Sequence, residues 1–273
     1  MTLFRSFTAT AAGLALMATL TTAAEAHRMW LYPSATVLSG EDPWVTIDAA
    51  ISNDLFYFEH HPLRLEGLVV TGPGGAPVDA QNAATGRYRS TFDIQLTEPG
   101  TYRVAIASSG LFASYTINGE RQRWRGTPER FAAEIPAGAD NLQVTELARR
   151  VEAFTTRGAP DTGALSAQGS GLELVPVTHP NDLFAGESAQ FQLVLEGQPA
   201  AGIEVEIVPG GSRYRDQVGD WTVSTDAQGI FTVIWPEAGM YWLEASVNDD
   251  NPSFEGATNR RATYVATLEV LPQ

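Results

Sequence analysis

Thr97-Glu98-Pro99-Gly100-Thr101-Tyr102-Arg103-Val104-Ala105 and Pro236-Glu237-Ala238-Gly239-Met240-Tyr241-Trp242-Leu243-Glu244 carry one signature at two places in the chain. Each sets an acid before a turn glycine and then, two residues on, a tyrosine that opens a strand-like run. A second pair repeats upstream of each. Leu38-Ser39-Gly40-Glu41-Asp42-Pro43-Trp44-Val45-Thr46-Ile47 and Phe184-Ala185-Gly186-Glu187-Ser188-Ala189-Gln190-Phe191-Gln192-Leu193 both place a Gly-acid turn before an alternating strand. Two copies of one β-sandwich plan account for these repeats better than a single large barrel.

The rest of the chain agrees. Glu204-Val205-Glu206-Ile207-Val208 and Ala266-Thr267-Leu268-Glu269-Val270 alternate with period two, and no long helical periodicity interrupts the pattern. Thr127-Pro128-Glu129 has the form of a helix start, with Thr as N-cap and Pro at the first helical position. Pro136 and Gly138 keep that helix short. Residues 142–155 read as extended and complete the first half. The Gly, Ala, Ser and Pro content of 157–171 marks a linker. The expected fold is therefore all-β, two tandem immunoglobulin-like or prealbumin-like sandwiches with a short helix between them. The expected division is a signal peptide at 1–26, a first domain at 27–160, a linker at 161–171 and a second domain at 172–273.

At the start, Arg5 precedes an apolar run over 11–20 and the small-residue end Ala24-Glu25-Ala26, the pattern of a secretory signal with Ala-x-Ala cleavage. Thr and Gly residues break the run, which falls short of the ~20 apolar residues of a membrane span. Export to the periplasm with His27 as the mature terminus is the expectation. An exported chain without cysteine has no disulfide framework and no thiolate chemistry. The net charge of −15, with every basic residue an arginine, argues against nucleic acid and anionic lipid as partners.

Chemistry concentrates at the four histidines, His27, His60, His61 and His179. A terminal His27 would offer an α-amine and an imidazole to one ion, and an added imidazole from His60, His61 or His179 makes a nitrogen-rich set. Such groups release their protons near neutral pH. The competing reading makes His60-His61-Pro62 a surface loop and His179-Pro180-Asn181-Asp182 a turn cap. Asp54, Glu59 and Asp182 are nearby in sequence, and Phe56-Tyr57-Phe58 is a candidate site wall. Trp221, Trp235, Tyr241 and Trp242 lie on expected strands, where core packing is the default. The run Gly210-Gly211-Ser212-Arg213-Tyr214-Arg215 is either a partner contact or a hairpin tip. Ser170, between glycines, lacks the strand-to-helix setting of a nucleophile, and no phosphate loop or dinucleotide fingerprint is present.

The opening His27-x-x-Trp30-Leu31-x-Pro33, the segment from Ser52-Asn53-Asp54 to His60-His61-Pro62, and the run from Thr225-Asp226-Ala227-x-Gly229 to Gly239-Met240-Tyr241-Trp242 resemble the bacterial exported domain of unknown function 4198 family. That resemblance implies a periplasmic component of nickel or cobalt uptake. Arg28 and Met29 stand where many members repeat a histidine, so a chelate here must recruit a distant one. The resulting expectation is a non-enzymatic metal-binding protein. Nickel or cobalt is favoured, copper or zinc is open, and a membrane transporter or TonB-dependent receptor is the partner. Two alternatives stay open: a copper oxidase built on a histidine brace at His27, and a metal-free interaction module docking on an outer-membrane receptor. The distances among the four imidazoles discriminate them.

Overall fold

A computed structural model describes residues 27–273; the expected signal segment, 1–26, lies outside them. The described chain is mostly β, in three sheets of 5, 10 and 4 strands. Strands Arg28–Pro33, Trp44–Ser52, Gln81–Thr85 and Ser90–Gln95 belong to the first sheet, and Leu172–Pro176, Ser188–Leu195 and Ile230–Ile234 to the last. The large sheet lies between them.

The two expected sandwiches share this middle sheet. Strand Asp140–Arg157 pairs antiparallel with Gly100–Ile117 on one side. On its other side it pairs in parallel with Asn259–Val270, from Thr145↔Asn259 through Ala153↔Thr267. Strands of both halves therefore form one hydrogen-bonded surface. Its two faces fill different cores: on strand Gly239–Asp249, Tyr241, Leu243 and Ala245 enter the core beneath the last sheet, whereas Trp242 enters the core beneath the first. Neighbouring Asn259–Val270 divides likewise, with Tyr264, Ala266 and Leu268 on one side and Val265 on the other. A strand covered on both faces keeps few wet positions. Thr267, which reads as the polar member of an alternating strand, is accordingly buried.

The repeated signature has a structural counterpart. Tyr102 donates its hydroxyl to the Glu98 carbonyl at 2.9 Å, and Tyr241 donates to the Glu237 carbonyl at 2.8 Å. Both are tyrosine corners, in which a buried ring ties a strand start to the turn before it. The preceding Gly100 and Gly239 have φ of 130° and 146°, a region that disfavours side chains.

The short helix is present as Pro128–Glu134, with Pro at its start. Thr127 occupies the N-cap position, yet its side chain makes no cap bond to the helix backbone. The Thr127 hydroxyl acts instead on Glu129, holding that carboxylate's pKa below the usual range.

The expected linker is pinned down. Ala164 and Leu165 are buried. Asp161 accepts from the backbone N–H groups of Thr101 and Gly163, and Arg103 donates to the Ser166 carbonyl. The buried Glu173 carboxylate takes the N–H groups of Gln168, Gly169 and Ser170. Arg150 joins Glu173 to a second buried carboxylate, Glu152, which also accepts from the Tyr264 hydroxyl at 2.8 Å. Small residues suggest slack, but here they let the backbone come close enough to use these acceptors.

Trp235 and Trp242 are fully buried and Trp221 is half-buried, so the strand aromatics are core. The Trp242 indole donates to the Met29 carbonyl at 2.7 Å, fixing the first strand to the middle sheet two residues from His27.

Candidate functional site

The end of strand Trp44–Ser52 gathers the candidate ligands. On one side Arg28 pairs with Ser52; on the other His61 pairs with Ile51. His27 and His60 are thus delivered from opposite flanks of one strand end. Their rings stack with centroids 4.0 Å apart and an interplanar angle of 13°. His61 follows, its ring centroid 4.2 Å from that of His60. Three of the four histidines form one surface cluster, with His27 and His61 exposed and His60 half-buried.

The connecting loop is held by its apolar residues. Leu55 is buried, and Phe56 meets Trp30 and Tyr32 edge-on at 5.7 and 4.9 Å. Phe56 adopts a φ of 62°, a strained conformation for an aromatic residue, which its packing must over-determine. Phe58 also lies against Trp30 and beneath the Arg89 guanidinium. Of the three expected wall residues, then, Phe56 and Phe58 serve packing. Tyr57 faces outward.

Tyr57 meets the loop at 210–218, which no sequence signal linked to the histidines. Its hydroxyl lies 3.2 Å from that of Tyr214, and Arg213 covers its ring at 4.1 Å. The Tyr214 hydroxyl first, and then the Arg213 guanidinium, draw the Tyr57 pKa below its ordinary value. Arg215 staples the loop by donating to the carbonyls of Pro209, Gly210 and Val218. A Cβ on Gly210 would lie 2.9 Å from the Met240 carbonyl and 3.2 Å from the Phe56 ring, so only glycine lets the loop approach this closely. Beside the loop is a cleft of about 380 Å³ lined by Arg28, Asn53, Asp54, Glu59, Arg215 and Asp216, and by no histidine. Glu59 also accepts from the Ser52 hydroxyl, and Arg28 pairs with Glu206 at 3.0 Å.

His179 does not join the cluster. Its Nδ1 accepts the Asn181 N–H at 3.1 Å, which leaves Nε2 to donate to the Asp161 carbonyl at 3.0 Å, with the Thr101 hydroxyl 2.9 Å away. Both nitrogens are consumed in tying the 161–181 segment to the first half. Burial lowers its pKa and favours this neutral tautomer. Asp182 stays beside His179, its N–H bonded to the His179 carbonyl, away from Asp54 and Glu59.

Partial burial and then the neighbouring His27 and His61 push the His60 pKa down, outweighing Glu59. The imidazole is therefore neutral, with a lone pair free, to lower pH than an isolated one. Among the described residues no three His, Asp or Glu side chains converge as an ion-holding set. Stacked rings present faces to one another, so their nitrogens are not yet aimed at a common point.

The family described as "Domain of unknown function (DUF4198)" matches residues 24–249, and the chain belongs to it. No curated protein matches the chain. Among solved structures, the D0-D1 domain of Intimin is similar at 11% identity, covering 88% of this chain and 97% of that one with a TM-score of 0.23. A marsupial T cell receptor is similar at 9% identity, covering 90% and 74% with a TM-score of 0.19.

Proposed function

We propose that this member of the DUF4198 family is an exported, non-enzymatic protein that binds a divalent transition metal through His27, His60 and His61, as cargo for a membrane transporter or TonB-dependent receptor. The observation that supports the reading is the cluster itself: three imidazoles from two separate segments, gathered at one strand end in a chain with four histidines.

The donor set fits such an ion once the terminus is considered. In the full chain the His27 nitrogen is an amide, a poor ligand that must first lose its proton to hold a metal. Cleavage after Ala26 converts it into an amine, so that His27 alone supplies two nitrogens and one turned imidazole from His60 or His61 supplies a third. Rotation of exposed rings between rotamers is a small adjustment. Nickel, cobalt, copper and zinc all accept nitrogen-rich sites, and Glu59, whose charge acts on His60, favours a cation there.

The test is metal titration of the mature protein against a His60→Ala, His61→Ala double variant. Loss of affinity by about a hundredfold or more supports the proposal, since the double variant removes whichever imidazole completes the site and a ligand is worth several kcal/mol. Undiminished affinity in the folded double variant contradicts it.

A further inference from the structure

Beyond the edge of the first sheet, the face of the middle sheet that it covers continues into solvent. There the 18-residue strand Gly100–Ile117 passes through Ser108, Ser109 and Gly110, small residues where a strand core would carry larger ones. Registration assigns the neighbours. Ser108 pairs with Arg149, Gly110 with Leu147, and Leu147 in turn with Arg261. Phe112 pairs with Arg125 on the adjoining hairpin strand Glu120–Gly126. Cross-strand partners share a face, and so do residues two apart. Arg125, Arg149 and Arg261 therefore rise from three strands around the missing side chain of Gly110.

A hollow of about 170 Å³ lies there, lined by Ser108, Gly110, Arg125, Leu147 and Arg149. It adjoins a cleft of about 430 Å³ that shares Arg125 and Leu147 and adds Arg261. Among the described residues none of the three arginines pairs with a carboxylate, whereas Arg28, Arg103, Arg150, Arg157 and Arg260 each do. Asp249 on the cleft rim is taken by Arg260 at 2.5 Å, and Asp250 stands beside it.

Glu244 acts on Arg149 and Arg261, and Arg261 also borders a cleft with Glu204 and Glu206, yet in this chain of net charge −15 no carboxylate among the described residues reaches salt-bridge contact with any of the three guanidiniums. Their repulsion is felt: partial burial, then Arg125, and, after an opposing pull from Glu244, Arg261 shape a lowered Arg149 pKa. An anion placed among them relieves that repulsion and meets planar N–H pairs that suit oxyanions.

We infer that this open face is a binding site for a small ligand with two or more oxyanionic groups, gripped by Arg125, Arg149 and Arg261 over the Gly110 floor. The site is separate from the histidine cluster and needs none of its ligands.

The experiment titrates citrate and, separately, pyrophosphate into metal-stripped mature protein, distinguishing carboxylate from phosphate as the source of the charge. Binding of at least one anion is expected. Arg149→Gln and Arg261→Gln should each weaken it about tenfold or more, the fold-change that follows from losing a charge-assisted contact, with an unchanged thermal midpoint. Should either variant unfold, Arg125→Gln on the hairpin strand reads the same contact. Failure of both anions to bind below about 1 mM, or binding that the arginine variants leave unaltered, overturns the inference. Neither result bears on metal binding, which is read with His27 and its neighbours intact.

Discussion

Replacing Trp242 with Phe tests how the first strand, and with it His27, is positioned. Trp242 is 1% exposed, and its indole N–H reaches the Met29 carbonyl at 2.7 Å. Phenylalanine keeps an aromatic face for the Arg28 guanidinium, which lies 5.4 Å from the ring centroid, but has no donor. The abandoned carbonyl, buried at a sheet-to-sheet contact, costs about 1–3 kcal/mol. The lost part of the ring leaves a void costing about 1–2 kcal/mol more, below the ~3–5 of complete removal to alanine. Urea unfolding should show a loss of about 2–5 kcal/mol, and thermal unfolding a midpoint lowered by about 2–4 °C for each kcal/mol in a protein this size. Trp221→Phe, at a half-buried position with no side-chain hydrogen bond found in the structure, serves as the comparison and should cost about 1 kcal/mol or less. Equal effects of the two substitutions would refute the claim that the Trp242–Met29 bond fastens the layers.

His179→Ala should leave metal affinity unchanged while lowering stability by about 1–3 kcal/mol, since its two ring nitrogens are spent on the protein; paired calorimetry and urea unfolding separate the outcomes. Metal affinity should fall as pH drops from 7.5 to 5.5, because protonation removes the imidazole lone pairs. With the His60 pKa depressed, His60 itself should lose its lone pair only toward the lower end of that range, which NMR of the ring can follow. Tyr102→Phe and Tyr241→Phe should each cost about 0.5–1.5 kcal/mol in urea unfolding, and a neutral result at both would deny the corners a stabilising part.

The features legible in the sequence were local. Period-two alternation and the paired Gly-x-Tyr turns identified strands and corners because both depend on residues within a few positions of one another. The shared middle sheet was not legible, since parallel pairing of Asp140–Arg157 with Asn259–Val270 joins segments over a hundred residues apart. A faint signal existed: the run 262–268 is buried throughout, and its apolar character is more continuous than strict alternation requires. His27, His60 and His61 stood out by composition, but His179 looked equivalent to them. Only Thr101, Asp161 and Asn181, brought in by the fold, show that its nitrogens are occupied. The loop at 210–218 was visible as polar and glycine-rich, yet its meeting with Tyr57 depends on Gly210 fitting against Phe56. The arginine face leaves no local mark in the sequence, because its members are scattered over three strands and converge only through register.

Calorimetric titration of nickel, cobalt, copper and zinc into protein beginning at an authentic His27, beside the same protein with one alanine added ahead of it, decides whether the His27 amine holds a metal. At least one metal should bind tighter than about 10 μM, and the added residue, by turning the amine into an amide, should weaken that binding by tenfold or more. No metal binding at that strength, or equal binding by both forms, would contradict a metal-holding role for the amine.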